Sequence, residues 1–308
     1  MAVIELDRLS KWYDEVIGLN NVTAMVGRGI TGLIGPNGAG KSTLMGLAMG
    51  QLRPSTGSIR LWGERVWDNP AILSRVGYCP EGDVFWPEST GQQFVYFLAR
   101  ASGLPRRAAR TAAMEAIDLT GMREHRNRPI GTYSKGMRQR IKIAQALAHM
   151  PRLLILDEPF TGADPVARHD LAQLFRVLVS QDVDILISSH VLHEVEALTR
   201  QILMIDHGRI VAEGDLGEVR RLMHDRPHAI RVKVDQPRVL ASKLVGLPTV
   251  TGLQVTAEDT LIIETPAPEN VYDRLPEMLL ADDLGVREIA AADAGLEAVF
   301  GYLTGRGV

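Results

Sequence analysis

Gly35, Pro36, Asn37, Gly38, Ala39, Gly40, Lys41, Ser42 and Thr43 fit the pattern G-x-x-x-x-G-K-[ST]. Each residue type has a use toward a polyphosphate. Glycines let backbone N–H groups turn inward onto phosphate oxygens. Lys41 adds a positive charge at the β- and γ-phosphates, and the Ser42 hydroxyl can hold Mg2+. Farther along, Leu153-Leu154-Ile155-Leu156 runs into Asp157-Glu158. Asp157, at the tip of an apolar strand, is placed to reach Mg2+ directly or through water. Glu158 points differently because side chains alternate along a strand, and it is suited to polarise a water for attack on a γ-phosphate. An apolar strand ending in two acids is often only a solvated turn. Beside a phosphate loop, it supplies the metal ligand and water-orienting group that phosphoryl transfer needs.

Those side chains need strands and helices to hold them. Residues 30–34 read as a buried strand and 41–49 as a helix whose positive dipole end faces the phosphates. Alternating apolar and polar residues over 1–30 and 57–68 predict β-strands. From 87 to 150 the pattern becomes helical. Thr90 with Gln93 forms a capping box before Phe94, Phe97 and Leu98. Pro105 opens a helix with Ala109, Ala113 and Ile117 on one stripe, and Ser134 caps a third carrying Ile141, Ala144, Leu147 and Ala148. Strands at 153–156, 184–188 and 201–205 alternate with helices at 165–180 and 191–199, which predicts a parallel sheet covered on both faces. Asp182 and Asp184, at a strand start, are expected to be solvated. A polar linker at 223–228 separates domain 1–222 from domain 229–308. The latter reads strand, helix, hairpin, helix, strand, helix: a small α+β fold.

The 308 residues, 45% apolar and 23% charged, suit a globular protein of two domains. A net charge of −3 gives no chain-wide basic footprint, so no nucleic acid is expected as partner. The cluster Arg106, Arg107, Arg110, Arg123, His125, Arg126 and Arg128 is expected to be a solvated helix face. A single cysteine, Cys79, excludes an internal disulfide framework and suits a reducing cytoplasm; its apolar run marks it as packing. No secretory signal order is visible. Charges interrupt every apolar stretch well short of the roughly 18 residues a membrane span needs. The chain is therefore expected to work at a membrane only through a partner.

At this point the chain closely resembles the ATP-binding subunit of ABC transporters, over residues 1–222, with the family's motifs in the family's order. Tyr133-Ser134-Lys135-Gly136-Met137 stands where the family's signature most often reads Leu-Ser-Gly-Gly-Gln. Ser134 and Gly136 keep a hydroxyl and an approachable backbone at a helix N-terminus, which makes an anion site. The resemblance implies that Ser134, Lys135, Gly136 and Met137 meet the ATP held by a second subunit's phosphate loop. Two chains would then enclose two ATP molecules. Asp164 in Gly162-Ala163-Asp164-Pro165 matches the loop that passes information across the dimer. His190 in Ser188-Ser189-His190 matches the switch histidine beside the γ-phosphate, which joins Glu158 in catalysis. Tyr13 matches the aromatic that stacks on adenine, with Trp12 the lesser candidate. The implied fold is a P-loop NTPase with a RecA-like parallel core, an N-terminal antiparallel β subdomain and a helical subdomain at about 87–150.

One departure stands out. Glu81 occupies the position where the family usually has Gln. It can still approach Mg2+ and water, yet an ionised carboxylate cannot donate a hydrogen bond. Glu81 is read as a metal-proximal coupling residue. The variant signature, Glu81 and a Leu-Glu-x-x-Phe ending at 296–300 together resemble exporter-type subunits. The expected partners are a transmembrane permease and a second ATP-binding subunit, with the chain peripheral on the cytoplasmic face of the membrane. Asp83, Phe85 and Trp86 form the candidate docking surface, as exposed aromatics beside a moving loop. Two rival readings are a soluble relative acting on ribosomes or DNA, and a kinase. The first lacks coiled coils or basic arms here, and the second has no use for a signature helix.

Overall fold

The computed structural model describes residues 2–221, 227–281, 284–292 and 295–304. It divides into two units, Met1–Asp215 and Leu216–Val308. The first unit begins with an antiparallel pair, β1 (Ile4–Tyr13) and β2 (Val16–Val26). Alternation turns Ile4 and Leu6 inward, and bulges at the left-handed residues Arg8 (φ 45°) and Asn21 (φ 50°) each add one residue to the period, so that Leu9 and Val22 also face the core beside Leu19. β3 (Ile30–Ile34) is buried along its whole length and runs into the phosphate loop and α1 (Lys41–Ala48). β4 (Thr56–Leu61) and β5 (Glu64–Arg65) complete a sheet of order β2-β1-β4-β5. A short α2 (Pro70–Leu73) then leads to β6 (Val76–Cys79).

The helical segment follows as α3 (Gly91–Ala101), α4 (Arg106–Leu119) and α5 (Lys135–Leu147). Its caps are those the sequence predicts. Thr90 Oγ1 accepts from Gln93 N at 3.2 Å, and Thr90 N donates back to Gln93 Oε1 at 2.9 Å. Ser134 Oγ accepts from Met137 N at 3.3 Å. Phe94, Ala109, Ala113, Ile117, Ile141 and Ala144 share one core.

The chain then alternates β7 (Leu153–Asp157), α6 (Pro165–Ser180), β8 (Asp184–Ser189), α7 (Leu192–Glu196), β9 (Gln201–Asp206) and β10 (Arg209–Asp215). The six-stranded sheet has order β10-β9-β3-β8-β7-β6. All its neighbours are parallel except β10, which pairs antiparallel with β9. Only β8 separates β3 from β7, so the phosphate loop and the two acids leave the sheet at the same, carboxyl edge, where open α/β sheets bind ligands.

Three sequence expectations need correction. β10 was not anticipated. α7 is a short helix at Leu192–Glu196, not one spanning 191–199. Asp184 is buried, not solvated: its carboxylate accepts the Gly29 N–H at 2.9 Å, which the turn before β3 would otherwise leave without a partner. Asp182 does lie at the surface, paired with Arg28 at 2.7 Å.

β6 is an edge strand, and α5 runs along it. His149 Nε2 sits 3.0 Å from Val76 O, and Gln145 Nε2 donates to Tyr78 O at 2.7 Å. Side chains thus occupy backbone acceptors that an exposed edge would offer to another strand. Burial holds the His149 imidazole below its usual pKa.

The second unit is α8 (Leu216–Arg221), β11 (His228–Val234), α9 (Pro237–Leu244), β12 (Gly252–Ala257), β13 (Thr260–Thr265), α10 (Pro268–Ala281), β14 (Val286–Ala291) and α11 (Leu296–Thr304). Its antiparallel sheet has order β12-β13-β11-β14 and buries Ile230, Val232, Val234, Leu261 and Ile263 with Leu240, Leu244, Val271 and Leu275. The division falls between 215 and 216 instead of at 222. α8 belongs with the second unit, where the Arg220 guanidinium lies 5.7 Å from the Tyr302 ring of α11. Of the linker at 223–228, residues 223–226 lie outside the described residues, and His228 opens β11 opposite Thr265.

Candidate functional site

Beyond β3 the chain turns on two left-handed glycines, Gly38 (φ 81°) and Gly40 (φ 113°). At Gly40 a Cβ would also stand 2.6 Å from Gly18 O, so both backbone conformation and close approach demand glycine. Lys41 Nζ donates to Gly35 O at 2.6 Å and Pro36 O at 3.2 Å. The N-terminus of α1 has no side-chain cap and no acid in its first turn. Its N–H groups and dipole therefore favour an anion from outside the helix. Burial holds Lys41 below its usual pKa, while the carboxylates of Glu158, Asp157 and Glu81 pull the other way.

These residues border a cavity of about 410 Å3. Pro36, Asn37, Gly38, Gly40, Lys41, Ser42 and Thr43 line it, facing Glu81, Asp157, Glu158 and His190 across the space. Gly35 and Ala39 do not line it: Ala39 is buried, and a Cβ at Gly35 would collide with Ile205 O. Tyr13 closes one end together with Val16, Ile17 and Gly18 of the β1–β2 hairpin. The Tyr13 hydroxyl is 3.4 Å from Thr43 Oγ1, and Lys11 Nζ lies 5.3 Å from its ring. Trp12 is not among the lining residues.

At the other end, Asp157 finishes β7 and is buried. Its Oδ1 accepts the Ser188 hydroxyl at 2.6 Å, and Glu158 N donates to the same Ser188 Oγ at 3.0 Å. Glu158 has φ 48°, so the chain breaks from the strand here, and this turn sets the side chain's direction along with the alternation. Its Oε2 lies 2.9 Å from His190 Nδ1. Burial raises the Glu158 carboxyl above its usual pKa; the hydrogen bond and charge of His190, then Lys41, oppose the rise. Tyr78 lies behind the acids, its phenol pushed up to about 12 by burial and by the charge of Asp157. Ser42, Asp157 and Glu81 offer a hydroxyl and two carboxylates to one cavity, hard oxygen donors of the kind that suit Mg2+.

The structure does not bring the signature residues here. Ser134, Lys135, Gly136 and Met137 are absent from the cavity wall. Ser134 is exposed at the tip of α5, and the space where a Gly136 Cβ would sit is open. Asp164 likewise caps its own helix, its Oδ1 accepting from Ala167 N at 2.8 Å. Cys79 is wholly buried, its thiol pushed up to about 12, consistent with packing.

The aromatic segment after Glu81 divides. Phe85 is partly buried against Phe94 at 5.2 Å, contrary to the expectation that both aromatics are exposed. Trp86 stays 50% exposed, 5.0 Å from Phe97, with Val84 and Phe97 exposed beside it. Arg106, Arg107 and Arg110 are exposed on α4, and Arg123 Nε pairs with Asp118 at 2.7 Å. Among the described residues no helix is long and apolar enough to cross a membrane.

Sequence reasoning gave no role to Ser188, to the hairpin residues Val16, Ile17 and Gly18, or to Lys142. The only signal for Lys142 was a lysine between Ile141 and Ile143 in an apolar stretch of α5.

A profile of the ABC transporter family matches residues 19–161. The chain is 32% identical to the daunorubicin/doxorubicin resistance ATP-binding protein DrrA of Streptomyces peucetius, over 98% of this chain and 92% of that protein. It is 32% identical to the Nod factor export ATP-binding protein I of Burkholderia pseudomallei strain K96243, over 99% and 98%. A solved ATP-binding subunit of an ABC transporter superposes with a TM-score of 0.65 at 31% identity, over 71% of this chain and 92% of that one.

Proposed function

The chain belongs to the ATP-binding proteins of ABC transporters, and from that premise we propose how its residues bind ATP, hydrolyse it and drive a separate membrane permease. ATP occupies the 410 Å3 cavity, with its adenine against Tyr13 and its phosphates over the Gly38–Gly40 turn and the α1 N-terminus. Lys41 compensates β- and γ-phosphate charge. Ser42, Asp157 and Glu81 would hold Mg2+, which neutralises phosphate charge when bound. Glu158 orients and deprotonates the attacking water, and His190 aims Glu158 through the 2.9 Å contact.

One observation carries the dimeric mechanism. The anion-binding helix tip at Ser134 and Gly136 is exposed and lies off the cavity wall that holds Lys41, Asp157 and Glu158. A γ-phosphate in that cavity can meet such a tip only on a second chain. ATP then joins two subunits, hydrolysis separates them, and Asp164 reports between them. Val84, Trp86 and Phe97 are the surface on which the permease docks, keeping the chain peripheral on the cytoplasmic face of the membrane. Export is supported by the nearly full-length likeness to a drug-resistance protein and a Nod factor export protein. No observation favours ribosomes or DNA.

Light scattering on the Glu158→Gln protein with ATP and Mg2+ tests this. A nucleotide-dependent doubling of mass is expected. A strict monomer, with the permease also present, would overturn it.

A further inference from the structure

The segment that carries Glu81 into the cavity is held from behind by α5. The Lys142 side chain is only 3% exposed. Its Nζ donates to Pro80 O at 3.0 Å, Glu81 O at 2.7 Å and Gly82 O at 3.4 Å, and lies 3.5 Å from Asp83 Oδ1. Lysine is almost never buried without partners. Here the partners are three consecutive carbonyls and the next carboxylate. Turning three successive carbonyls toward one amine fixes the backbone of that segment, and with it the direction of the Glu81 side chain. Asp83 makes a second tie: its Oδ2 accepts from Arg138 Nε at 2.7 Å. Arg138 also donates to Tyr133 O at 2.8 Å, immediately before Ser134. One helix therefore holds both the backbone under Glu81 and the chain leading into the signature serine.

We propose that Lys142 is a positioning residue for ATP hydrolysis: it clamps residues 80–82 so that the Glu81 carboxylate faces the phosphates, and the Asp83–Arg138 pair makes that segment move with the Ser134 end of α5. The proposal rests on assigning the cavity to ATP. It goes further by connecting the surface beside Trp86, the carboxylate at Glu81 and the signature serine through two cations of one helix. A role limited to covering the β6 edge would act on stability alone and would not depend on the Glu81 side chain.

The test is a double-mutant cycle on the full chain. Lys142→Met, Lys142→Arg and Asp83→Asn are each made alone and with Glu81→Ala. ATP affinity, kcat, thermal melting and hydrogen exchange at residues 80–83 are measured. Lys142→Met should lower kcat about tenfold with ATP affinity changed less than about twofold, and Lys142→Arg should restore most of it. With Glu81→Ala present, the Lys142→Met effect should shrink to less than about twofold, because no carboxylate remains to be aimed. Exchange at 80–83 should rise in Lys142→Met. If Lys142→Met does not fold, Asp83→Asn at a partly exposed site carries the same cycle. Equal losses with and without Glu81, or no loss in either, overturn the proposal. Wild-type protein that binds no ATP overturns the assignment of the cavity as well, a result visible before any variant is made.

Discussion

The Ser188 hydroxyl donates to Asp157 Oδ1 across 2.6 Å. The same oxygen accepts the Glu158 N–H, so one side chain from β8 fixes both acids that end β7. Ser188 is wholly buried, and no solvent can take its place without a rearrangement.

Ser188→Ala should therefore harm function and stability together. A buried carboxylate losing a donor costs about 1–3 kcal/mol, and misplacing Glu158 should lower kcat by about tenfold or more. Denaturant titration and steady-state ATPase assays measure the two losses. A variant with normal turnover would remove Ser188 from the catalytic arrangement.

The pH profile of kcat/KM, which reports the nucleotide-free enzyme, should reflect the raised Glu158 carboxyl. In its proposed role as base, Glu158 works only when ionised, so the acidic limb should lie at higher pH than an ordinary carboxylate would give. His190→Ala removes the hydrogen bond that favours the ionised form, and the limb should move to still higher pH. A limb that stays put or moves down in His190→Ala would contradict the contact's assigned effect.

Glu158→Gln should stop hydrolysis, by about a hundredfold or more, while ATP still binds. It should also stabilise the protein in a pH-dependent way. Burial raises the carboxyl in the folded chain, so the wild type is favoured at low pH and loses that stability as pH rises through the folded pKa. The gain in melting temperature of Glu158→Gln should thus be small in acid and larger once the pH has passed the raised folded pKa. Scanning calorimetry across pH decides the sign.

Lys41→Ala removes the cation at the phosphate loop. ATP affinity should fall about tenfold or more, since a charge-assisted contact to phosphate is worth about 1.5–3 kcal/mol. Titration with a fluorescent nucleotide measures it, and unchanged affinity would count against the loop's role.

Ser134→Ala should leave single-chain ATP binding within about twofold yet abolish ATP-dependent pairing in the Glu158→Gln background. Loss of its cap on Met137 N should cost about 1 kcal/mol of stability. Pairing that survives at full strength would deny Ser134 a place in the interface.

Much of this protein was legible in its chain because the signals are local. The phosphate loop, the Thr90 and Ser134 caps, the Ala109–Ala113–Ile117 stripe and the Asp157-Glu158 pair each depend on residues a few positions apart. Helical period, strand alternation and cap chemistry are properties of such short stretches. Contacts between distant segments were not legible. Ser188 reaches Asp157 only because β8 is the parallel neighbour of β7. Asp184 is buried because β3 starts beside it, and Lys142 meets the Glu81 carbonyl only because α5 lies along β6. The residue types at these positions are common on surfaces. The strand order and the helix laid on the sheet edge made them partners, because a hydrogen bond depends on separation in space and not along the chain.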